Sequence, residues 1–213
     1  MSKRCTFYIV RHGESEGNVQ KIIQGHIDLP LTEKGIRQAA ERSATLKHLK
    51  FADAFSSDLF RAKHTAEVIA ADHALTVKTT ELLREQNFGK YNGISFERYL
   101  TELHDLLEYR ESLSENGRMQ FRIADDAESY QEMIERLLQF FRPAALAYPG
   151  KNVLVVSHGG LMRLLLVYLG WAEHGELPPG AVTNAGLIVL QSDGIEFWVE
   201  HVDGVVKDNG WKE

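Results

Sequence analysis

Two apolar runs in this chain end in histidine and then glycine. Tyr8-Ile9-Val10 leads into Arg11-His12-Gly13, and Val155-Val156 leads into Ser157-His158-Gly159-Gly160. An imidazole at the end of a buried strand can serve as a nucleophile or carry a proton. Glycine after it lets the backbone turn sharply and leaves an N–H open to a ligand. One such histidine reads as a turn residue; two in matched settings point to a shared site. Arg61 belongs with them, in the first turns of the helical pattern behind Ala54-Phe55-Ser56-Ser57-Asp58. Together with Arg11 it offers two planar guanidinium forks, a geometry that suits phosphate oxygens. Glu85, within "LLREQNFG", is the carboxyl group expected at the same edge, whereas Glu14 lies beside His12 rather than across from it.

Strands and helices must bring these residues together. Residues 5–10 read as a strand, followed by a helix with Thr32 as N-cap and a stripe of Ile36, Ala39, Ala40, Ser43 and Leu46. Residues 52–57 read as a second strand, with Ser57 or Asp58 capping the next helix, and 75–83 as a third extended stretch. Residues 151–158 are Val/Leu-rich and run into a helix whose only charge is Arg163, so that helix is expected to be buried and Arg163 to serve as a structural ion partner. "NAGLIVLQ" and "IEFWVEH" alternate as strands joined at Ser192-Asp193-Gly194. Strands separated by helices predict an α/β fold, a three-layer sandwich with a mainly parallel central sheet flanked by helices. Ligands of such sheets gather beyond the strands' carboxyl ends. Parallel neighbouring strands would therefore bring His12 and His158 to one edge. Arg11 and His12 can share that site only if the chain leaves its pleat, which Gly13 permits.

The middle of the chain differs. Phe96, Tyr99, Leu100, Leu103, Leu106 and Leu107 keep helical spacing, as do Tyr130, Met133, Ile134, Leu137, Leu138 and Phe141, with Pro143 expected to end or kink the second helix. The polar stretch between them reads as irregular. Residues 97–135 hold four basic and eleven acidic residues, a net of −7 against −6 for the whole chain. This predicts one domain over 1–213 with a helical lid insertion at about 94–128. Tyr91, Met119, Phe121 and Arg122 either line the pocket or hold the insertion down, and the acidity disfavours polyanionic substrates unless Arg118 or Arg122 faces inward.

With 24 basic and 30 acidic residues and no basic run, nucleic acid is not an expected partner. No segment approaches the ~18 apolar residues of a membrane span. The apolar stretch after the basic Met1-Ser2-Lys3-Arg4 is too short for a signal peptide. A lone cysteine, Cys5, suits a reducing compartment, so a cytoplasmic protein is expected. His26, His48, His64, His73, His104, His174 and His201 show no metal-ligand spacing, and neither a metal nor another cofactor is expected. His26 lies near the site loop, where contact with substrate stays open.

"RHGES" with Asn18, then "QGHIDLPLTEKG", "SSDLFRAKHTA", "LREQNFG" and "VVSHGG", in this order and spanning almost the whole chain, resemble the histidine phosphatase superfamily in its phosphoglycerate-mutase-like branch. The resemblance implies that His12 is the nucleophile that becomes phosphorylated. It also implies that Arg11, Arg61 and a protonated His158 clamp the phosphoryl oxygens with Asn18 and the Gly159 N–H, that Glu85 donates the proton, and that Gln24 and Gly25 touch the substrate. Such chemistry needs positioning and charge rather than a metal. The substrate class is a small phosphorylated metabolite or a phosphoprotein, hydrolysed as a phosphomonoester. A phosphoglycerate mutase using the same phosphoenzyme, and a non-catalytic phosphate-binding module, are the alternatives. Against the mutase, Glu85-Gln86-Asn87-Phe88-Gly89 lacks the Arg-His-Tyr run that follows the acid in glycolytic mutases of the family.

Overall fold

A computed structural model describes residues 3–207; Met1 and Ser2 of the basic start lie outside the described residues. Six strands form one sheet: β1 Cys5–Arg11, β2 Phe51–Ser57, β3 Val77–Thr80, β4 Asn152–Ser157, β5 Val182–Ser192 and β6 Phe197–Val205. Their order is β3-β2-β4-β1-β5-β6. The first four in that order run parallel, whereas β5 is antiparallel to β1 and β6 antiparallel to β5. The sheet is thus mixed, with its parallel part at the centre. β4 is buried from Val153 to Ser157, as a parallel strand covered on both faces must be.

The helices are α1 Glu16–Val19, α2 Glu33–Leu46, α3 Phe60–Ala71, α4 Phe96–Glu102, α5 His104–Ser112, α6 Glu115–Gln120, α7 Tyr130–Ala147 and α8 Gly159–Tyr168. On one face of the sheet, Leu46 of α2 and Ala62, Ala66 and Ile69 of α3 pack on Val10, Leu154 and Val156. On the other, α7 and α8 cover Phe7, Ile9, Val153 and Val155, with the Phe7 and Phe141 rings edge-on at 4.9 Å. These are the three layers. Thr32 caps α2 as expected, accepting from Gly35 N–H at 3.0 Å. Ile36 and Ala40 do not belong to the buried stripe, which Gly35, Ala39, Ser43 and Leu46 form.

Three local expectations change. The N-cap position of α3 is Leu59, without a side-chain cap; the Asp28 carboxylate accepts from Phe60 N–H instead, at 2.8 and 2.9 Å. A distant loop thereby replaces Ser57 or Asp58. α7 continues through Pro143 to Ala147, because packing of Phe140, Phe141, Ala144 and Ala145 in the core outweighs the one lost N–H bond. The polar stretch before it is not all irregular, since Ser114 caps α6.

Helices α4 to α6 gather around a small apolar cluster of their own, Tyr99, Leu103, Ile123 and Ala127. The segment enters where Ser95 bridges antiparallel to Ile22 and leaves where Glu128 N–H donates to Asn87 O at 2.8 Å. Among the described residues no helix is long and apolar enough to cross a membrane.

Candidate active site

In the parallel pairing of β1 with β4, Arg11 stands opposite Ser157. His12 and His158 therefore leave their strands at one level, and their ring centroids lie 5.2 Å apart. His12 N–H donates to Ser157 O at 3.0 Å, extending the ladder by one bond before the turn. Gly13 then passes against the first turn of α2, where a Cβ would stand 2.3 Å from Gly35 O. Only glycine permits that backbone contact. Gly13 N–H donates to Thr65 Oγ1 at 3.0 Å, which ties the turn to α3.

The His12 ring is buried, and its Nδ1 lies 2.7 Å from Gly13 O. A carbonyl only accepts, so Nδ1 carries the hydrogen and Nε2 keeps its lone pair. Burial holds the imidazole well below its ordinary pKa, with Arg61 and Arg11 adding to the effect and the Gly13 bond opposing it. His158, fully buried, is pushed down in the same direction, first by desolvation and then by Arg61, His12, Arg136 and Arg11. A protonated His158 was expected; burial first, and then the neighbouring arginines, favour its neutral form instead.

Arg61 is 1% exposed, and burial pulls its guanidinium down to about 10, which leaves it cationic. Among the described residues it pairs with no carboxylate. Nη1 donates to Ile27 O and Nη2 to Gly25 O, both at 2.8 Å, so Arg61 also shapes the loop that carries Gln24 and Gly25. Arg11 reaches over the edge of the sheet to donate to Val182 O. Arg11 Nε, Arg61 Nε and both ring nitrogens of His158 are buried with no protein partner. Buried polar atoms without partners are rare in native folds. Here four such atoms belong to three residues at one sheet edge.

Glu85 sits across this edge. Oε2 accepts from Gly160 N–H at 2.9 Å, and Oε1 accepts from Leu161 N–H at 3.0 Å and Gln86 N–H at 2.9 Å. The N-cap residue of α8, His158, makes no side-chain cap bond, so the Glu85 carboxylate caps this helix from another element. A Cβ on Gly160 would stand 2.6 Å from Oε1, and one on Gly159 would stand 3.0 Å from Arg11 Nε. The two glycines thus open space for the carboxylate and for the guanidinium.

Asn18 and Gln24 converge on Ser15. Asn18 Oδ1 accepts from Ser15 N–H at 3.0 Å and Asn184 Nδ2 at 3.2 Å, while Gln24 Oε1 accepts from Ser15 Oγ at 2.9 Å. Their oxygens are engaged within the protein, and their NH2 groups are the ends that can donate. Gly25 adopts φ +48°, and a Cβ there would collide with Asn92 Oδ1. Glu14 turns outward to Thr32 and Lys34. Arg118 faces Glu111, and Arg122 faces Glu132. Arg163 has neutral partners rather than an ion pair, donating to Leu177 O and Tyr130 Oη at 2.9 Å each.

The sequence reading missed Thr65 and Asn184. Asn184 Nδ2 donates to His12 O at 3.2 Å from an irregularity in β5, where Ala185 has φ +56° and the pairing with β6 shifts between Val182 and Leu187. The Asn-Ala-Gly start of that strand was the available signal. Bulges next to a site re-aim a side chain in this way. Among the described residues no three His, Cys, Asp or Glu side chains are placed to hold a metal.

Residues 7–203 match the model of the histidine phosphatase superfamily, branch 1. The chain belongs to this superfamily. The uncharacterized phosphatase PhoE of Bacillus subtilis strain 168 is 30% identical over 84% of each chain. The probable phosphoglycerate mutase GpmB of Cronobacter sakazakii is 37% identical over 79% of this chain and 77% of its own. Among solved structures, a phosphoglycerate mutase from Bacillus anthracis superposes with TM-score 0.82 at 28% identity, covering 94% of this chain and 93% of the other. A mycobacterial glucosyl-3-phosphoglycerate phosphatase crystallised with VO3 gives 0.77 at 25% identity, covering 94% and 98%. The family resemblance and the α/β architecture read from the sequence both hold for this histidine phosphatase.

Proposed function

We propose that this histidine phosphatase hydrolyses phosphomonoesters of small metabolites through a phosphohistidine on His12. The observation that carries the proposal is the set of buried, unpartnered nitrogens of Arg11, Arg61 and His158 around a His12 whose Nε2 lone pair is free. Two cationic guanidiniums are suited to the phosphoryl dianion, whose charge spreads over three equatorial oxygens during transfer. The neutral His158 can donate one ring N–H to it. The amide groups of Asn18 and Gln24 and the Gly159 N–H complete the cradle.

In the first step Nε2 of His12 forms a bond to phosphorus as the P–O ester bond breaks, and Glu85 gives its proton to the leaving alkoxide. In the second, the Glu85 carboxylate takes a proton from water, whose oxygen attacks phosphorus. The P–N bond breaks, inorganic phosphate leaves, and Glu85 is protonated again. Cys5, buried and with its thiol pushed up to about 12 by desolvation, fits a cytoplasmic setting.

A mutase is the second reading, favoured by the relatives that carry that name. The segment after Glu85 supports the phosphatase. Gln86 Nε2 donates to Glu128 O, Phe88 packs edge-on against Tyr99, and Lys90, the one cation of Gln86–Gly93, is exposed over the Tyr91 ring. None of these supplies a buried cation for a sugar-acid carboxylate. Incubation with 3-phosphoglycerate and a trace of 2,3-bisphosphoglycerate should release phosphate or do little; rapid formation of 2-phosphoglycerate without phosphate would establish the mutase. Brief mixing with labelled substrate should leave an acid-labile, alkali-stable phosphoryl group that His12→Ala abolishes together with turnover. A fully labelled variant would remove His12 from its role, and a wild type without turnover on any aryl phosphate would favour a phosphate-binding module.

A further inference from the structure

The stretch Arg84–Phe88 that carries Glu85 has no regular secondary structure, and the one bond its own backbone gives the carboxyl group is from Gln86 N–H, at 2.9 Å. Its Glu85 carbonyl and two carbonyls of the turn just before it are held by other elements. Arg136, on α7, donates from Nη1 to Leu82 O at 2.9 Å and from Nη2 to Glu85 O at 3.1 Å. Ser157 Oγ donates to the intervening Leu83 O at 2.9 Å, and His26 Nε2 lies 3.0 Å from Glu85 O. The Arg136 guanidinium is itself gripped side-on along its Nε–Nη2 edge by Glu128, at 2.6 Å from Nε and 3.0 Å from Nη2. Both side chains are about 15% exposed. Glu128 also accepts from Gln86 Nε2 through its carbonyl and from Asn87 N–H through its carboxylate.

A planar fork with five donors suits this task, because one rigid group here fixes two carbonyls three residues apart and a carboxylate. We infer that Arg136, held by Glu128, is the positioning residue for Glu85: it sets where the carboxyl group stands over the leaving oxygen. The inference rests on Glu85 being the proton donor of the reaction proposed above. Arg136 touches no reacting atom. Its loss should therefore weaken proton delivery and leave phosphate binding and His12 intact.

The test compares phosphorylation of His12 by an alkyl phosphate, whose leaving group needs the proton, with that by 4-nitrophenyl phosphate, whose leaving group does not. Misplacing a catalytic group by about 1 Å can cost on the order of 10²-fold. Arg136→Ala should accordingly slow the alkyl reaction about 10- to 100-fold and the aryl reaction less than about threefold, with KM unchanged. Burst amplitude counts the intact sites, so a partly unfolded preparation does not imitate this ratio. Arg136, Glu128, His26 and Asn87 border a cleft of about 370 Å³, which has room for a small cation. Methylguanidinium should restore the alkyl rate of Arg136→Ala and leave the aryl rate alone. Equal losses on both substrates, or rescue of both in parallel, would overturn the positioning role. Should Arg136→Ala fail to fold, Glu128→Gln, which keeps the size and removes the charge, must show the same selective loss for the inference to stand. Glu85→Gln run alongside separates the two levels: if it shows no leaving-group dependence, the acid assignment fails, and if it does while the Arg136 and Glu128 variants do not, only this inference fails.

Discussion

Glu85→Gln is expected to do more than remove a proton. In the wild type the two carboxylate oxygens face different donors, Oε2 receiving Gly160 N–H and Oε1 receiving Leu161 and Gln86 N–H. An amide can present only one oxygen, so its NH2 must oppose an N–H at the start of α8. Leaving a buried N–H unsatisfied costs about 1–3 kcal/mol. A loss of that size lowers Tm by about 2–4 °C for each kcal/mol in a chain of this size. On the chemical side, loss of the general acid should slow phosphorylation by alkyl phosphates by about 10²–10⁴. 4-Nitrophenyl phosphate should lose much less. Rapid-quench bursts with both substrates and a thermal melt on the same preparations measure the two effects together. An unchanged melt would refute the capping role, and equal loss of both bursts would move the proton to another group.

Activity should survive EDTA, since Arg11 and Arg61 already supply the positive charge, and vanadate, which can become five-coordinate at His12, should inhibit; loss on chelation that a divalent ion reverses would contradict the mechanism. Stability should fall on the acid side. His12, His158 and His174 are all held neutral in the fold by burial, His174 down to about 4, so the unfolded chain binds more protons than the native one below the ordinary value of 6.5. Their contribution is complete above that value and is lost as pH falls through 6.5, for His174 until about 4. Urea midpoints should therefore drop from about pH 7.5 to about pH 5, and His174→Asn should flatten the slope; a midpoint indifferent to pH would count against it. Gly13→Ala, which sets a Cβ against the Gly35 carbonyl, should cost about 1–3 kcal/mol by denaturant unfolding, and a neutral result would show that the turn can open.

The central strands were legible because parallel strands buried on both faces leave unbroken apolar runs, as in Val153–Val156, and because glycine marks where such strands end. The meeting of His12 with His158 followed from that pattern alone. Capping of α3 was not legible, since Asp28 lies 32 residues from Phe60 in sequence and no local rule connects them. Asn184 escaped notice for a related reason. Its position depends on an irregularity in β5 that carries one non-glycine residue at positive φ, and the alternation of an antiparallel strand conceals such a shift. The charge on His158 was the harder part to read, because residue type gives no measure of how dry a site is. Pro143 shows the converse, a strong local signal overridden by a long apolar face.

The segment bearing α4 to α6 is fastened at Ser95 and again at Glu128, with Phe96 N–H donating to Lys21 O and Gly93 N–H to Ile23 O, both at 2.7 Å. Whatever lies between these fastenings is, to the rest of the molecule, a closed loop. The entropy of closing a loop rises only with the logarithm of its length, so doubling the segment adds about 0.6 kcal/mol. Glu85, Arg11, Arg61, His12 and His158 all lie outside that loop, so the chain entropy spent on closing it depends only weakly on what it contains. The residues around His12 are thereby held by the sheet and its turns, and the length of the segment between the two fastenings is set separately from them.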